Sequence, residues 1–357
     1  RRHTRCSRDW SSDVCSSDLR LVILQYTSGS TSELKGVMIP DRVLGSNIDA
    51  AVAAAALTPD EVMQSWLPLY HDMGLVGFLA IPMCTGVQLV QSAPQDFLAH
   101  PGNWMQWLSD WQATVTAGPN FAWVLATRAL KRMESLDLSR MRVALSGAEP
   151  VDPDAVEAFV REASRFGFRA GAVFPAFGMA EVAIAGAFPA PMRGLACDTV
   201  DRIVLERDRI AVPVDGVDAG EDAVNADRVR RLALLGPAVP GLEFRVVDPV
   251  TDEDLPDRHV GELLIRGTSV TPGYYKHPEA TAASFRNGWL ATGDLAWIRR
   301  GLSGLGLLPG RRSDRREGRS DGARRREPLD PASVGPAGRR NHRANGRRTR
   351  RSPDRGA

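Results

Sequence analysis

The pattern of hydrophobic and polar positions divides the chain into three zones. Residues 1–19, RRHTRCSRDWSSDVCSSDL, have no hydrophobic periodicity, and their Ser, Asp and Arg content predicts disorder. They run into the apolar run LVIL with no linker-like gradient, so they read as an unrelated leader joined at a foreign or assembly-derived junction. Residues 20–298 alternate strand-like and helix-like segments. LVILQY predicts a buried strand, residues 42–57 an alanine-rich helix, VMQSWLP a strand, MGLVGFLA a helix and VQLVQ another strand. In WMQWLSDW, Trp104, Met105, Trp107, Leu108 and Trp111 recur at helical spacing and are read as core. ATVTAG is a short strand, RVALSGAEP a strand ending in a glycine turn, and VDPDAVEAFVREA a helix with an acid-rich first turn. RIVLE, EFRVVD, GELLIRG and GWLATGD read as β. The expected fold class is α/β, layered sheets and helices with a β-rich subdomain, and no internal repeat is present.

Residues 299–357 change character. They contain no Lys, Ile, Phe, Tyr, Trp or Met, and such a segment predicts a disordered tail without a core. Two readings stand. The tail is a basic arm for nucleic acid or an anionic surface. Alternatively it is out-of-frame translation of GC-rich DNA, the preferred reading, because an in-frame basic tail usually mixes Lys with Arg. The tail also accounts for the net charge. Residues 301–357 hold 16 arginines against 6 acids, so +10 of the total of +2 lies there and residues 1–300 carry −8. The body therefore shows no nucleic-acid footprint.

Bulk properties exclude other classes. The longest apolar stretch, residues 75–90, is interrupted by Pro82 and Gly86 and reads as helix, turn and strand, so no membrane span is expected. The leader has no apolar signal-peptide core. Cys6, Cys15, Cys84 and Cys197 have neither metal-ligand nor disulfide-framework spacing, and a cytoplasmic protein is expected.

The candidate chemistry begins at LQYTSGSTSELKGVMIP. Thr27, Ser28, Ser30 and Thr31 offer hydroxyls, Gly29 lets the backbone approach an anion, and Lys35 adds positive charge. A strand before the loop and a helix after it would set it at the carboxyl edge of a sheet. The order is not that of a Walker loop, and the segment alone is also compatible with an ordinary polar loop.

Four further motifs follow: LPLYHDMGL (residues 67–75), SGAEP (146–150), FGMAE (177–181), and GELLIRG followed by TGD. With these five motifs in order over about residues 20–298, the chain resembles the adenylate-forming superfamily and is most similar to its fatty acyl-AMP ligase branch. The loop departs from the usual pattern at Ser32 and Leu34, where the superfamily has Gly and Pro. The resemblance implies ATP and magnesium as cofactors. It implies that Thr27, Ser28, Gly29, Ser30, Thr31 and Lys35 hold phosphates. Gly147, Ala148 and Glu149, with Phe177 and Gly178, would line the adenine site, and Asp294 would bond the ribose hydroxyls. Glu181, with Thr27, would hold the metal, and His71 would lie beside the substrate carboxylate; His71 and Glu181 are the candidate catalytic residues. A catalytic pairing of His71 with Asp72 is not expected. Other readings remain: Glu181 as a helix-start acid, Asp294 as a turn residue, His71 as a structural histidine. In GPNFAWVLATRAL, Phe121 and Trp123, with Val124 and Leu125, are placed in the acyl pocket or equally in the core.

The implied reaction is attack of a fatty acid carboxylate on the α-phosphate of ATP, giving acyl-adenylate and pyrophosphate, with transfer to an acyl-carrier protein or coenzyme A. The superfamily also has a hinge and a small C-terminal domain that supplies a lysine. This chain has only Lys35, Lys131 and Lys276, and LAWIRRGLSG follows Asp294. The resemblance thus implies a fragment, the partial large domain at residues 20–298 truncated at both ends. The alternative function is a catalytically inactive AMP-binding fragment with an Arg-rich tail able to bind nucleic acid. Translating the coding DNA past Ile298 in the other frames is expected to yield a Gly-Arg hinge and a lysine-bearing lid; stop codons or equally featureless text in every frame would overturn the frameshift reading. The purified chain is expected to give negligible fatty-acid-dependent ATP–pyrophosphate exchange.

Overall fold

Alternating short apolar runs and longer amphipathic segments produce strands and helices in nearly the order read from the sequence. The computed structural model describes residues 20–27, 34–214, 228–299 and 304–312. All of them fall in one unit, Arg1–Arg315. Strands β1 (Leu21–Thr27) and β2 (Lys35–Pro40) form an antiparallel hairpin whose register sets Thr27 opposite Lys35. LVIL does form a strand, but it is not buried: Leu21 and Val22 are exposed, because β1 has only β2 as a partner among the described residues. Val37 and Ile39 of β2 take the core positions instead. Pro40, with φ near its fixed value, then opens helix α1 (Asp41–Ala54).

The next elements build a parallel sheet. They are β3 (Val62–Ser65), a π-helical stretch Met73–Ala80 that runs into α2 (Ile81–Thr85), β4 (Gln88–Gln91), α3 (Pro94–Ala99), α4 (Gly102–Asp110), β5 (Val115–Gly118), α5 (Asn120–Leu130), β6 (Val143–Ser146), α6 (Pro153–Ala163) and β7 (Val173–Pro175). The spatial order is β4-β3-β5-β6-β7, with every pair parallel. Parallel strands need crossover connections and bury both faces; VTAG in β5 is accordingly buried at every position. Aromatic side chains fill one layer: Trp66 stacks on Phe97 at 3.9 Å, Trp104 meets Trp123 at 4.7 Å, and Trp123 meets Phe159 at 4.8 Å. The buried indoles find partners, Trp104 Nε1 donating to Thr116 Oγ1 and Trp123 Nε1 to the Gly118 carbonyl. Of the tryptophans read as core in WMQWLSDW, Trp104 is buried and Trp107 partly so. Trp111 is exposed, because α4 stops at Asp110 and Trp111 lies beyond its last turn.

The chain continues through β8 (Phe177–Gly178), β9 (Ala185–Ala187), β10 (Cys197–Asp201), α7 (Arg202–Asp208), β11 (Val229–Ala233), β12 (Leu242–Val247), β13 (Gly261–Gly267), β14 (Phe285–Arg286), β15 (Trp289–Arg299) and β16 (Gly304–Arg312). RIVLE is helical, not β. Asp201 accepts from the Ile203 and Val204 amides, an N-cap that overrides the β-branched composition of the run. The last five strands form an antiparallel sheet, β12-β13-β15-β14 with β16 on β15. Asp198 of β10 fastens to this sheet. It is buried and accepts from Arg258, Arg299 and Trp297 Nε1.

Asn47 ties α1 to the strands beneath it. This buried amide accepts from the Ala185 amide at 2.8 Å and the Ile184 amide at 3.2 Å, and donates to the Ala185 carbonyl at 2.9 Å and Ser269 Oγ at 3.2 Å. Asn47→Ala leaves those buried backbone groups without partners and is expected to cost about 3 kcal/mol in urea unfolding. A loss below about 1 kcal/mol would show that the groups find other partners.

Candidate functional site

The carboxyl ends of the parallel strands deliver the motifs to one edge. Residues 66–72 leave β3, residues 118–120 leave β5, residues 146–152 leave β6 and residues 175–177 leave β7. The loop after β6 is held open by a clamp. Glu149 Oε1 accepts from the Asn120 amide at 2.7 Å, Asn120 Nδ2 donates to the Pro150 carbonyl at 2.6 Å, and the Asp152 amide donates to Asn120 Oδ1 at 3.0 Å. Ala148 is left at φ +69°, a left-handed conformation unusual for a residue with a Cβ.

Two cavities meet at this edge and share His71, Met73 and Ala148 in their walls. The first, about 90 Å³, is walled by Gly147, Phe177 and Gly178 together with Ala51 and Ala55 of α1 and Phe78 of the π-helical stretch. Its lining is almost wholly apolar. The second, about 370 Å³, is bounded by Trp66, Tyr70, Leu98, Phe121 and Glu149. Phe121 thus faces a cavity. Trp123 lines neither; it is buried against Trp104 and Phe159. Phe177 is buried, edge-on to Phe244. A Cβ on Gly178 would lie 1.9 Å from the Ile184 carbonyl oxygen, so the turn beside Phe177 requires glycine.

The electrostatics are organised by carboxylates. His71 Nδ1 lies 2.7 Å from Asp72 Oδ1, and this bond, opposed by partial burial, holds the imidazole pKa above its ordinary value. The same Asp72 caps the π-helical stretch by accepting from the Met73 amide at 2.7 Å. The contact between His71 and Asp72 is therefore real, although the sequence gave it no catalytic weight. Glu181 sits in the turn Ala180–Val182 and is buried. Desolvation pushes its pKa up. The Tyr274 hydroxyl, donating to Oε1 at 2.9 Å, opposes the rise, and the nearby Asp72 and Asp294 carboxylates add to it. The amide of Asp294, in β15, donates to Thr292 Oγ1 at 3.1 Å.

These residues fit a divalent cation. A desolvated carboxylate with other carboxylates nearby gains from a positive charge, and magnesium needs only one or two protein carboxylates when phosphates and water complete its shell. No compact group of three His, Cys, Asp or Glu side chains occurs among the described residues, which agrees with such a shared shell. Thr27 and Lys35 face each other across the hairpin, and Lys35 Nζ lies over the Tyr274 ring, 5.2 Å from its centroid. Ser28, Gly29, Ser30 and Thr31 lie outside the described residues. Tyr274 and Asn47 went unread in the sequence. GYY after a β-like run carried a weak signal for Tyr274, and a lone amide among alanines was the sole trace of Asn47.

The chain is similar to known proteins. The profile of the AMP-binding enzyme family matches residues 6–275, reaching into the segment that the sequence reading set apart as a leader. The chain belongs to this family of AMP-binding enzymes. A Mycobacterium tuberculosis protein named as a ligase, Rv1013, is 42% identical over 282 residues, covering 78% of this chain and 50% of that protein. JamA of Moorena producens, a medium-chain-fatty-acid–[acyl-carrier-protein] ligase, is 32% identical over 304 residues, covering 85% of this chain and 50% of its own. The crystal structure of the fatty acid AMP ligase of Legionella pneumophila superposes with a TM-score of 0.74 at 30% identity, covering 84% of this chain and 51% of that one. The fatty acyl-adenylate ligase of the same organism, solved with acyl adenylate and pyrophosphate, gives 0.73 at 29% identity, covering 84% and 52%. The AMP-binding chain thus spans about half the length of the curated relatives it matches. It has the α/β architecture of the adenylate-forming large domain, and no helix among its described residues is long and apolar enough to cross a membrane.

The His71–Asp72 contact predicts a pH signature. Asp72→Asn should lower the titration midpoint of the His71 ring followed by NMR. A histidine whose folded pKa is raised contributes stability that is fully present below its unfolded pKa and is lost as pH rises through the folded value. The pH-dependent part of the wild-type advantage over Asp72→Asn should therefore be present in mildly acidic solution and vanish in alkali. An unchanged midpoint would remove Asp72 as the cause.

Proposed function

We propose that this chain is the large-domain part of an enzyme that activates fatty acids with ATP. The fatty acid carboxylate attacks the α-phosphorus, the bond to the bridging oxygen breaks, and acyl-adenylate and pyrophosphate form. The acyl group then passes to an acyl-carrier protein or coenzyme A. The observation that carries this reading is the pair of adjoining cavities that share His71 and Ala148, one of them apolar and the other bordered by Phe121 and Glu149, which offer neighbouring spaces for a nucleotide and an acyl tail. The relatives named for fatty acids support it.

In this reading residues 20–298 act as the large domain. Residues 27–35 cradle the β- and γ-phosphates with hydroxyls, backbone amides and the Lys35 charge. Gly147, Ala148 and Glu149, with Phe177 and Gly178, take the adenine, and Asp294 takes the ribose hydroxyls. Nδ1 of His71 donates to Asp72, and in the protonated ring that this contact favours, Nε2 also donates to the substrate carboxylate and fixes its angle of attack. Phe121 borders the acyl approach. Glu181 and Thr27 hold the metal, and bound magnesium supplies countercharge to the phosphates. Fixed donors matter here because the charge that develops on phosphorus is stabilised mainly by position and electrostatics.

Stable acyl-sulfamoyl adenosine mimics of the intermediate test this. Calorimetry should show hexanoyl, octanoyl and dodecanoyl forms binding progressively tighter, by up to about fourfold per buried methylene at about 0.8 kcal/mol each. Affinity indifferent to acyl length, or a phenylalanyl form binding tighter than all of them, would sink the fatty-acid reading.

A further inference from the structure

Tyr274 has no place in the motifs, yet it touches both halves of the proposed phosphate and metal site. Its hydroxyl donates to Glu181 Oε1 at 2.9 Å, and the Lys35 ammonium lies 5.2 Å from the centroid of its ring. Tyr274 itself is buried. A buried phenol needs a hydrogen-bond partner, and a carboxylate oxygen is a strong one. The bond fixes the rotation of the carboxylate, so the second oxygen, Oε2, keeps one direction.

The backbone around Tyr274 is tied to Glu181 and to β2. The Met38 amide donates to the Gly273 carbonyl at 3.0 Å and the Tyr275 amide to the Gly36 carbonyl at 2.8 Å, so residues 273–275 run as a further partner along β2. The Thr271 amide donates to the Glu181 carbonyl at 2.8 Å, and Thr271 Oγ1 donates to the Met38 carbonyl at 2.6 Å. Both the main chain and the side chain of Glu181 are thereby referenced to β2, the strand that begins at Lys35.

We propose that Tyr274 is a positioning residue that couples Lys35, at the end of the phosphate loop, to the metal-holding carboxylate of Glu181. Its ring braces the lysine through a cation–π contact, and its hydroxyl aims the free oxygen of Glu181 at a divalent cation. The inference rests on the reading of Glu181 as the magnesium carboxylate and of residues 27–35 as the phosphate loop. Tyr274→Phe separates the two roles, because it keeps the ring and the β2 pairing and deletes only the hydroxyl.

The test is ATP binding to the full 357-residue chain by calorimetry, once with magnesium chloride and once with EDTA. For the wild type, magnesium should tighten ATP binding. In Tyr274→Phe that gain should shrink by about tenfold, the size usual for losing a group that orients a metal ligand, with the Kd in EDTA unchanged and the chain still folded. Lys35→Gln should weaken ATP binding in both conditions. A full magnesium gain in Tyr274→Phe overturns the coupling, as does an equal loss of affinity with and without magnesium. A wild type whose ATP affinity ignores magnesium overturns the metal reading of Glu181, and the coupling falls with it.

Discussion

A parallel sheet covered on both faces confines polar side chains to the ends of its strands. Among strands β3 to β7, Gln64 and Thr116 are buried polar exceptions within the sheet, but the residues of the candidate site lie in the loops at the strand ends. The four loops that leave the carboxyl ends of β3, β5, β6 and β7 carry His71, Asn120, Ser146 to Asp152 and Phe177. They converge because the strands are neighbours, although up to a hundred residues separate them in the chain. Ligands in open α/β sheets bind at this edge for the same reason.

Holding such an edge in shape requires polar fastenings, some buried, as at Asn47 and Asp198, and some nearer the surface, as at Asn120 and Arg142. Asn120 clamps the loop that contains the left-handed Ala148. Asn47 joins α1 to β9 and to Ser269. Arg142, at the start of β6, binds Glu61 and donates to the Ala55 and Ala56 carbonyls, satisfying the C-terminal end of α1. Asp198 collects two arginines and an indole and locks β10 onto the antiparallel sheet. Each works because a buried polar group is costly unless paired, so a single substitution removes several restraints together.

Asp72 borders the apolar cavity beside His71, and its field and that of Asp294 add at the buried Glu181. Bringing carboxylates together in a partly desolvated place is unfavourable without a cation. Glu181 meets that cost with a phenol donor from Tyr274 and a backbone carbonyl held by the Thr271 amide.

The sequence determined the local and ordered features. Its alternation of apolar runs set the α/β class and most element positions, because short-range periodicity reflects which face is buried. Its motifs singled out His71, Gly147, Phe177, Glu181 and Asp294 as candidates. It misplaced what depends on surroundings. LVIL lies at an outer hairpin, RIVLE became a helix through the Asp201 cap, and Trp111 fell past the end of α4. Only the tertiary structure decided that Phe121 borders a cavity while Trp123, two residues away on the same helix, is core. Only it set Tyr274 between Lys35 and Glu181. Those choices rest on contacts between segments far apart in the chain, and neither composition nor spacing records such contacts.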